Sequence, residues 1–234
     1  NGYKIKSPFG GSATPGQISG IEMQLEKISE PITVQPLRQR VKFGQIREMN
    51  LLSGYLQSIR DNIDLDAIRK SGLKVAHDPM YGAGSAIIKE LLGDEFVQEI
   101  HGERNPLFGG TAPEPVEQKL GQLCKITKES CDIGIANDGD ADRITMVDEN
   151  GDFVSSHKIL SLLVEYLYTQ KRLNGTIVKT FSTTDMIDKQ AEKYNLPLIV
   201  TPIGFKYIAE LMVQEDVLTG GEESGGLAAK GHLP

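Results

Sequence analysis

The sequence has 234 residues, of which 39% are hydrophobic and 24% charged, and its formal net charge is −7. This length suits one large domain or two ordinary ones, and the acidic balance argues against a nucleic-acid scaffold. No apolar run approaches the ~18 residues of a membrane span, and neither a signal peptide nor a lipidation motif is present. The two cysteines, Cys124 and Cys131, make no disulfide framework, which favours a reducing cytoplasm.

Residues 1–50 are rich in turn formers and show little periodicity. We predict one short helix around Ser19–Ile28, followed by a loose polar stretch as far as Asn50. The chain opens without methionine and stops at Pro234 as if cut from a longer protein. Residues 1–50 are therefore expected to be the tail of a truncated domain or a linker.

From Leu51 onward the pattern becomes regular. Apolar residues at helical spacing up to Gly72 predict one or two helices. Short apolar runs then alternate with further helical patterns, and this alternation implies an α/β architecture with a largely parallel sheet. The predicted strands are Leu73–His77, Phe96–Ile100, Cys131–Ala136 and Arg143–Val147, and the predicted helices are Ser85–Leu92 and Val116–Ser130.

A second unit with the same alternation begins near Ser155. It opens with a strongly amphipathic helix that includes Ile159 and Leu167. The predicted strands are Gly175–Thr180, Leu198–Val200 and one ending near Leu218, and the predicted helices are Asp185–Tyr194 and Ile203–Met212.

One stretch, Asn137–Arg143, brings three carboxylates together within five residues. It places Asp138, Asp140 and Asp142 at alternate positions beside Arg143. Carboxylates this close repel one another unless a cation compensates, and oxygen ligands suit Mg²⁺, Mn²⁺ or Ca²⁺. An arginine next to such a cation can hold a phosphate bidentately. The stretch therefore predicts a hard-metal site that works on phosphate.

Two other interpretations of this stretch remain open. In a calcium EF-hand, Asp138, Asp140, Asp142 and Glu149 would supply loop positions one, three, five and twelve. That motif also needs glycine at position six, where this chain has Arg143, and helices on both flanks. The plainer alternative is a solvated acidic turn without any ligand.

A second singular stretch is the glycine-bracketed segment Gly220–Gly226. Glycines let the backbone approach a ligand closely, while Glu222, Glu223 and Ser224 offer groups that can grip sugar hydroxyls. A simple hairpin or capping turn is the alternative. The turn Tyr81–Gly84 could likewise cradle a phosphate, although glycine at a strand-to-helix turn more often serves packing.

Together these segments make the chain resemble the α-D-phosphohexomutases, the phosphoglucomutase and phosphomannomutase superfamily. The resemblance rests on Asp138–Arg143 (DGDADR), Thr201–Lys206 (TPIGFK) and Gly221–Gly225 (GEESG), in the family's order and separation. It covers essentially the whole chain. The first and third motifs are highly specific when they occur together.

The resemblance implies two consecutive three-layer α/β/α domains with mixed, largely parallel sheets. Residues 51–154 would form the domain with the metal-binding loop and residues 155–234 most of the domain with the sugar-binding loop. Residues 1–50 would be the end of the domain that carries the phosphoserine. Asn1–Lys6 resembles the segment just after the family's phosphoserine loop, so the nucleophilic serine and the fourth, phosphate-binding domain are expected to be absent from this sequence.

The resemblance also implies roles for particular residues. Asp138, Asp140 and Asp142 would hold one Mg²⁺, and Arg143 would bind the phosphate that is transferred. Substrate would be bound by residues of the other two motifs, and Lys179 matches a basic position near the reacting hydroxyl. The substrate-binding residues implied in this way are Gly204, Lys206, Glu222 and Ser224.

The implied reaction interconverts hexose 1- and 6-phosphates through the phosphoserine and a hexose 1,6-bisphosphate. Some family members carry histidine where this chain has Phe205 and Gly226, and this departure favours glucose phosphates, with mannose phosphates next. We expect a hexose phosphate as partner, no nucleic acid and no membrane, while the oligomeric state is not predicted. The alternatives are a metal-dependent phosphatase or phosphotransferase with a carboxylate nucleophile, and a non-enzymatic calcium-binding module.

Overall fold

A computed structural model describes residues 4–8, 10–29 and 36–231 of the chain. Residues 13–64 form one compact unit, and residues 1–12 and 65–234 form another. The start of the segment likened to the region after a phosphoserine loop, Asn1–Tyr3, lies outside the described residues.

The smaller unit contains three helices, α1 (Pro15–Leu25), α2 (Leu37–Lys42) and α3 (Leu52–Asn62). The predicted helix Ser19–Ile28 was wrong at its start, because a capping box places the first turn earlier. In that box, the backbone N–H of Thr14 donates to Gln17 Oε1 at 2.8 Å, and Pro15 occupies the first helical position. The polar stretch before Asn50 also contains α2, which was not predicted.

The larger unit begins with a domain built on a five-stranded sheet. The strands lie in the order β2-β1-β3-β4-β5; β1 pairs in parallel with β2 and β3, while β4 pairs antiparallel with β3 and β5. Its strands are β1 (Val75–Asp78), β2 (Val97–Glu99), β3 (Ile133–Asn137), β4 (Ile144–Val147) and β5 (Phe153–Val154). Its helices are α4 (Leu65–Ser71), α5 (Ile87–Leu92) and α6 (Gly121–Ser130).

Helix α6 packs on this sheet through fully buried side chains. Leu120 and Leu123 meet Ala136 of β3 and Val147 of β4 in one apolar cluster. The predicted helix Val116–Ser130 was wrong in its first third, where residues 117–119 make a single 3₁₀ turn before α6 starts. The two-residue strand β5 was not predicted, because two residues show no alternation.

The second domain of the larger unit has a four-stranded sheet in the order β7-β6-β8-β9. Strand β6 pairs in parallel with β7 and β8, and β9 runs antiparallel to β8. The strands are β6 (Thr176–Thr180), β7 (Leu198–Thr201), β8 (Val217–Gly221) and β9 (Leu227–Ala229). The helices are α7 (Ser156–Glu165), which continues as a π-helical turn over Tyr166–Gln170, α8 (Met186–Tyr194) and α9 (Phe205–Gln214).

Helices cover both faces of this second sheet. Neighbouring residues of β6 point to opposite sides, so Ile177 packs with Leu160 of α7 and Ile187 of α8, while Val178 packs with Ile208 of α9. The expected pair of α/β/α domains with mixed sheets is confirmed. Within the described residues, none of the helices combines the length and apolarity needed to cross a membrane.

Candidate functional site

The acidic stretch connects two antiparallel strands. Strand β3 ends at Asn137, β4 starts at Ile144, and these two residues face each other in the ladder. Ala141 turns the loop with a left-handed backbone (φ 60°), and its N–H donates to the Asp138 carbonyl at 3.1 Å. Because strands flank this loop on both sides, it lacks the flanking helices of an EF-hand.

Asp138 is the buried anchor of the loop. Its Oδ1 accepts the backbone N–H groups of Asp142 and Arg143, both at 3.0 Å, and its Oδ2 accepts Arg143 Nε at 2.8 Å. Burial raises the pKa of Asp138, and the hydrogen bonds from Arg143 oppose that rise. The same carboxylate therefore shapes the loop and orients the guanidinium.

Asp140 and Asp142 lie exposed beside this anchor and face a positive charge. Lys4 Nζ contacts Asp140, and it lies 2.9 Å from Asp142 Oδ2. Its hydrogen bond lowers the pKa of Asp140, while the two carboxylates raise the pKa of Lys4. One oxygen from each of Asp138, Asp140 and Asp142 lies within 4.8 Å of the others. This all-oxygen set, already facing a cation, fits a hard divalent metal ion.

The turn at Tyr81–Gly84 packs against the acidic loop. A Cβ at Gly82 would lie 2.6 Å from the carbonyl oxygen of Gly139, and Ala83 N–H donates to that oxygen at 3.0 Å. On the other side, Gly139 N–H donates to the Pro113 carbonyl at 3.1 Å. Position 82 therefore has to be glycine for the turn and the acidic loop to pack this closely. This favours the packing interpretation of the Tyr81–Gly84 turn over phosphate binding.

Next to the loop lies a partly buried chain of hydrogen-bonded polar side chains that the sequence patterns did not reveal. Asn137 Nδ2 donates to the Arg143 carbonyl at 3.1 Å, and its Oδ1 lies 3.2 Å from His77 Nε2. The other ring nitrogen of His77 lies 3.0 Å from Glu99 Oε2. His77 lies in strand β1, 66 positions before Arg143 in the numbering, so no local pattern connects the two residues.

The glycine-bracketed segment is the turn between β8 and β9. It is closed by the Glu222 N–H to Gly226 carbonyl bond at 2.9 Å and the Gly225 N–H to Glu222 carbonyl bond at 3.2 Å. Glu222 Oε1 also accepts the backbone N–H of Gly204 at 2.8 Å, and Ser224 Oγ donates to Glu222 Oε2 at 3.3 Å. Three predicted substrate-binding residues, Gly204, Glu222 and Ser224, are thus brought together.

Glu223 contacts a different set of partners from Glu222 and holds the turn in place. Its Oε2 accepts the hydroxyls of Ser182 at 2.6 Å and Thr180 at 2.8 Å, and its carbonyl accepts the Ser156 hydroxyl. Burial alone would raise the pKa of Glu223, but the hydrogen bonds from Ser182 and Thr180 outweigh burial and keep the pKa below its usual range. Glu223 is thus an ionised support of the turn.

The two loops meet directly. Ile144, which follows Arg143, donates its N–H to the Gly225 carbonyl at 3.1 Å. Arg143 and Ser224 line one cavity of about 490 Å³. The arginine of the acidic loop and the serine of the glycine-bracketed turn, 81 positions apart in the numbering, therefore line the same cavity.

The two predicted lysines lie in different environments. Lys179 is buried at the end of β6, where its ammonium contacts Asp188 and donates to the carbonyls of Thr184 at 3.2 Å and Thr183 at 3.4 Å. Lys206 is exposed on α9, with Nζ 4.9 Å from the ring centroid of Tyr207. Protein groups thus engage the Lys179 ammonium, whereas the Lys206 side chain lies at the surface.

Comparison with protein families identifies both domains. Residues 53–151 match the model described as phosphoglucomutase/phosphomannomutase, alpha/beta/alpha domain II, and residues 155–234 match alpha/beta/alpha domain III of the same family.

Individual relatives show the same similarity. The chain is 29% identical to a phosphoglucomutase/phosphomannomutase of Thermococcus kodakarensis (97% of this chain, 49% of the relative) and 32% identical to a phosphoglucosamine mutase of Thermodesulfovibrio yellowstonii (96% and 50%). A crystal structure from Thermus thermophilus, named "putative phosphomannomutase", superposes with a TM-score of 0.84 at 30% identity and covers 97% of this chain and 51% of that one. The chain spans about half the length of these relatives.

Proposed function

We propose that this chain, which belongs to the phosphoglucomutase/phosphomannomutase family, is the central part of a Mg²⁺-dependent phosphohexomutase. The relatives named above are phosphomutases. The proposed reaction interconverts hexose 1-phosphate and hexose 6-phosphate through a phosphoserine and a hexose 1,6-bisphosphate. Residues 51–154 and 155–234 would be its metal-binding and sugar-binding domains, acting in the cytoplasm.

The observation that carries this proposal is the meeting of the two loops. The hydrogen bond from Ile144 to Gly225 brings the residue after Arg143 against the turn that bears Glu222 and Ser224. A phosphoryl transfer needs its charge-neutralising groups and its sugar acceptor held side by side, since most of its catalysis is positioning and electrostatics.

In this proposal, Asp138, Asp140 and Asp142 would hold Mg²⁺, which when bound neutralises charge on the transferring phosphate. Their clustered oxygens and the ammonium of Lys4 beside them support this assignment. Arg143 would orient the phosphate with its terminal nitrogens, because Asp138 already holds its Nε.

The sugar would be held by the opposite wall. Ser224 is exposed at the turn, and Glu222 fixes both Ser224 and the Gly204 backbone, so the three residues can act as one hydrogen-bonding group. Exposed Lys206 would approach a phosphate from α9. Lys179 would act near the reacting hydroxyl only after exchanging a carbonyl or Asp188 for substrate.

The identity of the preferred sugar is the most specific part of the proposal. Phe205 and Gly226 favour glucose phosphates, with mannose phosphates next. The relatives' names include phosphoglucosamine mutase as well as phosphoglucomutase/phosphomannomutase, so they support a hexose phosphate in general.

Titration of Mg²⁺ by calorimetry tests the metal site. We expect Asp140→Asn to weaken Mg²⁺ binding about tenfold, because one anionic ligand is lost, and to leave the far-UV circular dichroism unchanged. Glu149→Gln is the matched control: it removes an exposed acid that an EF-hand would need at position twelve. Unchanged affinity in Asp140→Asn would contradict the proposal, while Ca²⁺-selective binding lost in Glu149→Gln would support the calcium-binding module.

Turnover provides a second test. No serine of this sequence is assigned the phosphoryl-carrying role, so the 234-residue chain should not convert glucose 1-phosphate to glucose 6-phosphate when glucose 1,6-bisphosphate is added. Sustained turnover in a coupled assay would show that a serine inside this chain is the nucleophile and would overturn the assignment.

A further inference from the structure

The polar chain next to the acidic loop crosses three strands of the first sheet. His77 of β1 lies opposite Glu99 of β2 in one ladder and opposite Ile135 of β3 in the other. Asn137 follows Ile135 by two residues, so the side chains of His77, Glu99 and Asn137 emerge on one face of the sheet. The register of the strands therefore brings together polar residues from three separate segments of the sequence.

His77 is the centre of this chain. Its side chain is fully buried, with Nδ1 3.0 Å from Glu99 Oε2 and Nε2 3.2 Å from Asn137 Oδ1. Glu99 Oε2 also accepts the backbone N–H of Ala86 at 2.9 Å, which fixes the carboxylate. Because Asn137 Nδ2 donates to the Arg143 carbonyl, the Oδ1 of the same amide faces His77 and accepts its Nε2–H. The ring is thus oriented at both of its nitrogens.

The chain ends on a single peptide group, the one between Arg143 and Ile144. Its carbonyl accepts Asn137 Nδ2 at 3.1 Å, and its N–H donates to the Gly225 carbonyl at 3.1 Å. Because this peptide group is trans and planar, its C=O and N–H point in opposite directions, and a bond that fixes the carbonyl also orients the N–H. Hydrogen bonds linked in series also strengthen one another. The contact with the glycine-bracketed turn therefore depends on side chains within the first sheet.

We propose that His77 and Glu99 are positioning residues, which act through Asn137 to orient the 143–144 peptide group toward the glycine-bracketed turn. Neither side chain lines the cavity of about 490 Å³, so neither is a catalytic residue. Their part in phosphoryl transfer rests on the proposed function, since it consists of keeping the arginine of the acidic loop beside the turn that would bind the sugar. The hydrogen-bond chain itself needs neither a metal ion nor a substrate.

Hydrogen exchange of the Ile144 amide measures this orientation in the 234-residue chain without metal or substrate. His77→Phe keeps an aromatic ring but has no ring nitrogen. In this variant we expect Ile144 to lose about fivefold in protection relative to the other amides of β3 and β4. Asn137→Leu should have a similar effect, because it removes the Nδ2 donor. Adding His77→Phe to Asn137→Leu should lower the protection no further, because His77 acts through that amide.

Two further variants complete the test. Glu99→Gln has nearly the same shape as the original side chain but lacks the charge that holds His77, so Ile144 should lose about twofold in protection. His101→Phe is the matched control. Nδ1 of His101 lies 3.0 Å from Asp78 Oδ2, so this variant also breaks a histidine–carboxylate contact, but one outside the chain that leads to Ile144. It should leave the protection of Ile144 unchanged.

Wild-type protection of Ile144 in either His77→Phe or Glu99→Gln would overturn the proposal. A loss of protection spread evenly over β3 and β4 would overturn it as well, because it would show that these residues only stabilise the sheet. Neither result would contradict the proposed function, which fails instead if the wild-type chain does not bind Mg²⁺.

Discussion

The backbone of Ile144 is hydrogen-bonded to that of Gly225, with the Ile144 N–H 3.1 Å from the Gly225 carbonyl oxygen. Gly225 has φ 99°, and a Cβ there would lie 2.8 Å from the Ile144 carbonyl oxygen. The contact therefore requires glycine in the turn between β8 and β9, both for its backbone angle and for space. This backbone contact holds Arg143 and Ser224 at the wall of the same cavity.

Replacing Gly225 with alanine should weaken the contact between Gly225 and Ile144. We expect Gly225→Ala to lower the free energy of unfolding by about 2–4 kcal/mol, the sum of the left-handed backbone cost and the clash with Ile144. The control is Gly72→Ala, at φ 75° with nothing within 4 Å of its added Cβ, which should cost only about 1–2 kcal/mol. Urea denaturation measures both, and equal losses would show that the contact with Ile144 adds nothing.

Lys4 should compete with a metal ion for Asp140 and Asp142. Lys4→Met removes the ammonium that faces both carboxylates, so Mg²⁺ affinity should rise about threefold or more. Stability should hardly change, because the paired side chains are more than half exposed. Lys6→Met, at another exposed lysine of the same segment, is the control in calorimetry. A Lys4→Met variant with wild-type or weaker Mg²⁺ affinity would contradict the competition.

Glu223 should make the stability of the second domain depend on pH. Its pKa is lower in the folded chain than the ordinary value of 4.5, so its contribution is complete above pH 4.5 and is lost as the pH falls through the folded pKa. Glu223→Gln cannot titrate, and we expect it to lose less stability than wild type between about pH 6 and pH 3.5.

Urea titrations at several pH values measure this difference, and Glu149→Gln, at an exposed glutamate in the turn before β5, is the control. Identical pH profiles of stability for Glu223→Gln and wild type would show that the ionised Glu223 does not stabilise the turn.

Phe205 and Gly226 should behave as a coupled pair. A Cβ at Gly226 would lie 3.1 Å from Phe205 Cδ2 and 3.2 Å from Glu222 Oε2. Gly226→His should therefore cost about 1–3 kcal/mol through overpacking. Adding Phe205→His should recover part of that loss, because the smaller ring makes room. Thermal unfolding of the two single variants and the double variant gives the coupling, and strict additivity would mean that the side chains do not meet.

The local patterns predicted the elements that are buried in the sheets. Strands β1, β3 and β6 were placed within two residues of their observed bounds, because short apolar runs between turn residues are strong strand signals. The errors lie where a cap or a neighbour sets the boundary. The Thr14 capping box makes α1 begin earlier than predicted, and β5 forms only because it can pair with β4.

The acidic loop and the glycine-bracketed turn were predicted as the chemical centres because their residue types are unusual at that spacing. Their partners were not predicted. The Lys4 contact with Asp140, the His77–Asn137 chain behind Arg143 and the Lys179 contact with Asp188 each depend on the path of the backbone between distant residues. Periodicity carries no information about such pairs.

The sequence by itself determined that this protein has two α/β domains, each with one chemically distinctive loop, because periodicity and composition act over a few neighbouring residues. Only the tertiary structure decided that these loops touch at Ile144 and Gly225, and that the Thr145 hydroxyl is buried without a hydrogen-bond partner among the described residues. Such long-range contacts follow from strand order and from the packing of one domain on the other, and many different local sequences would be compatible with them.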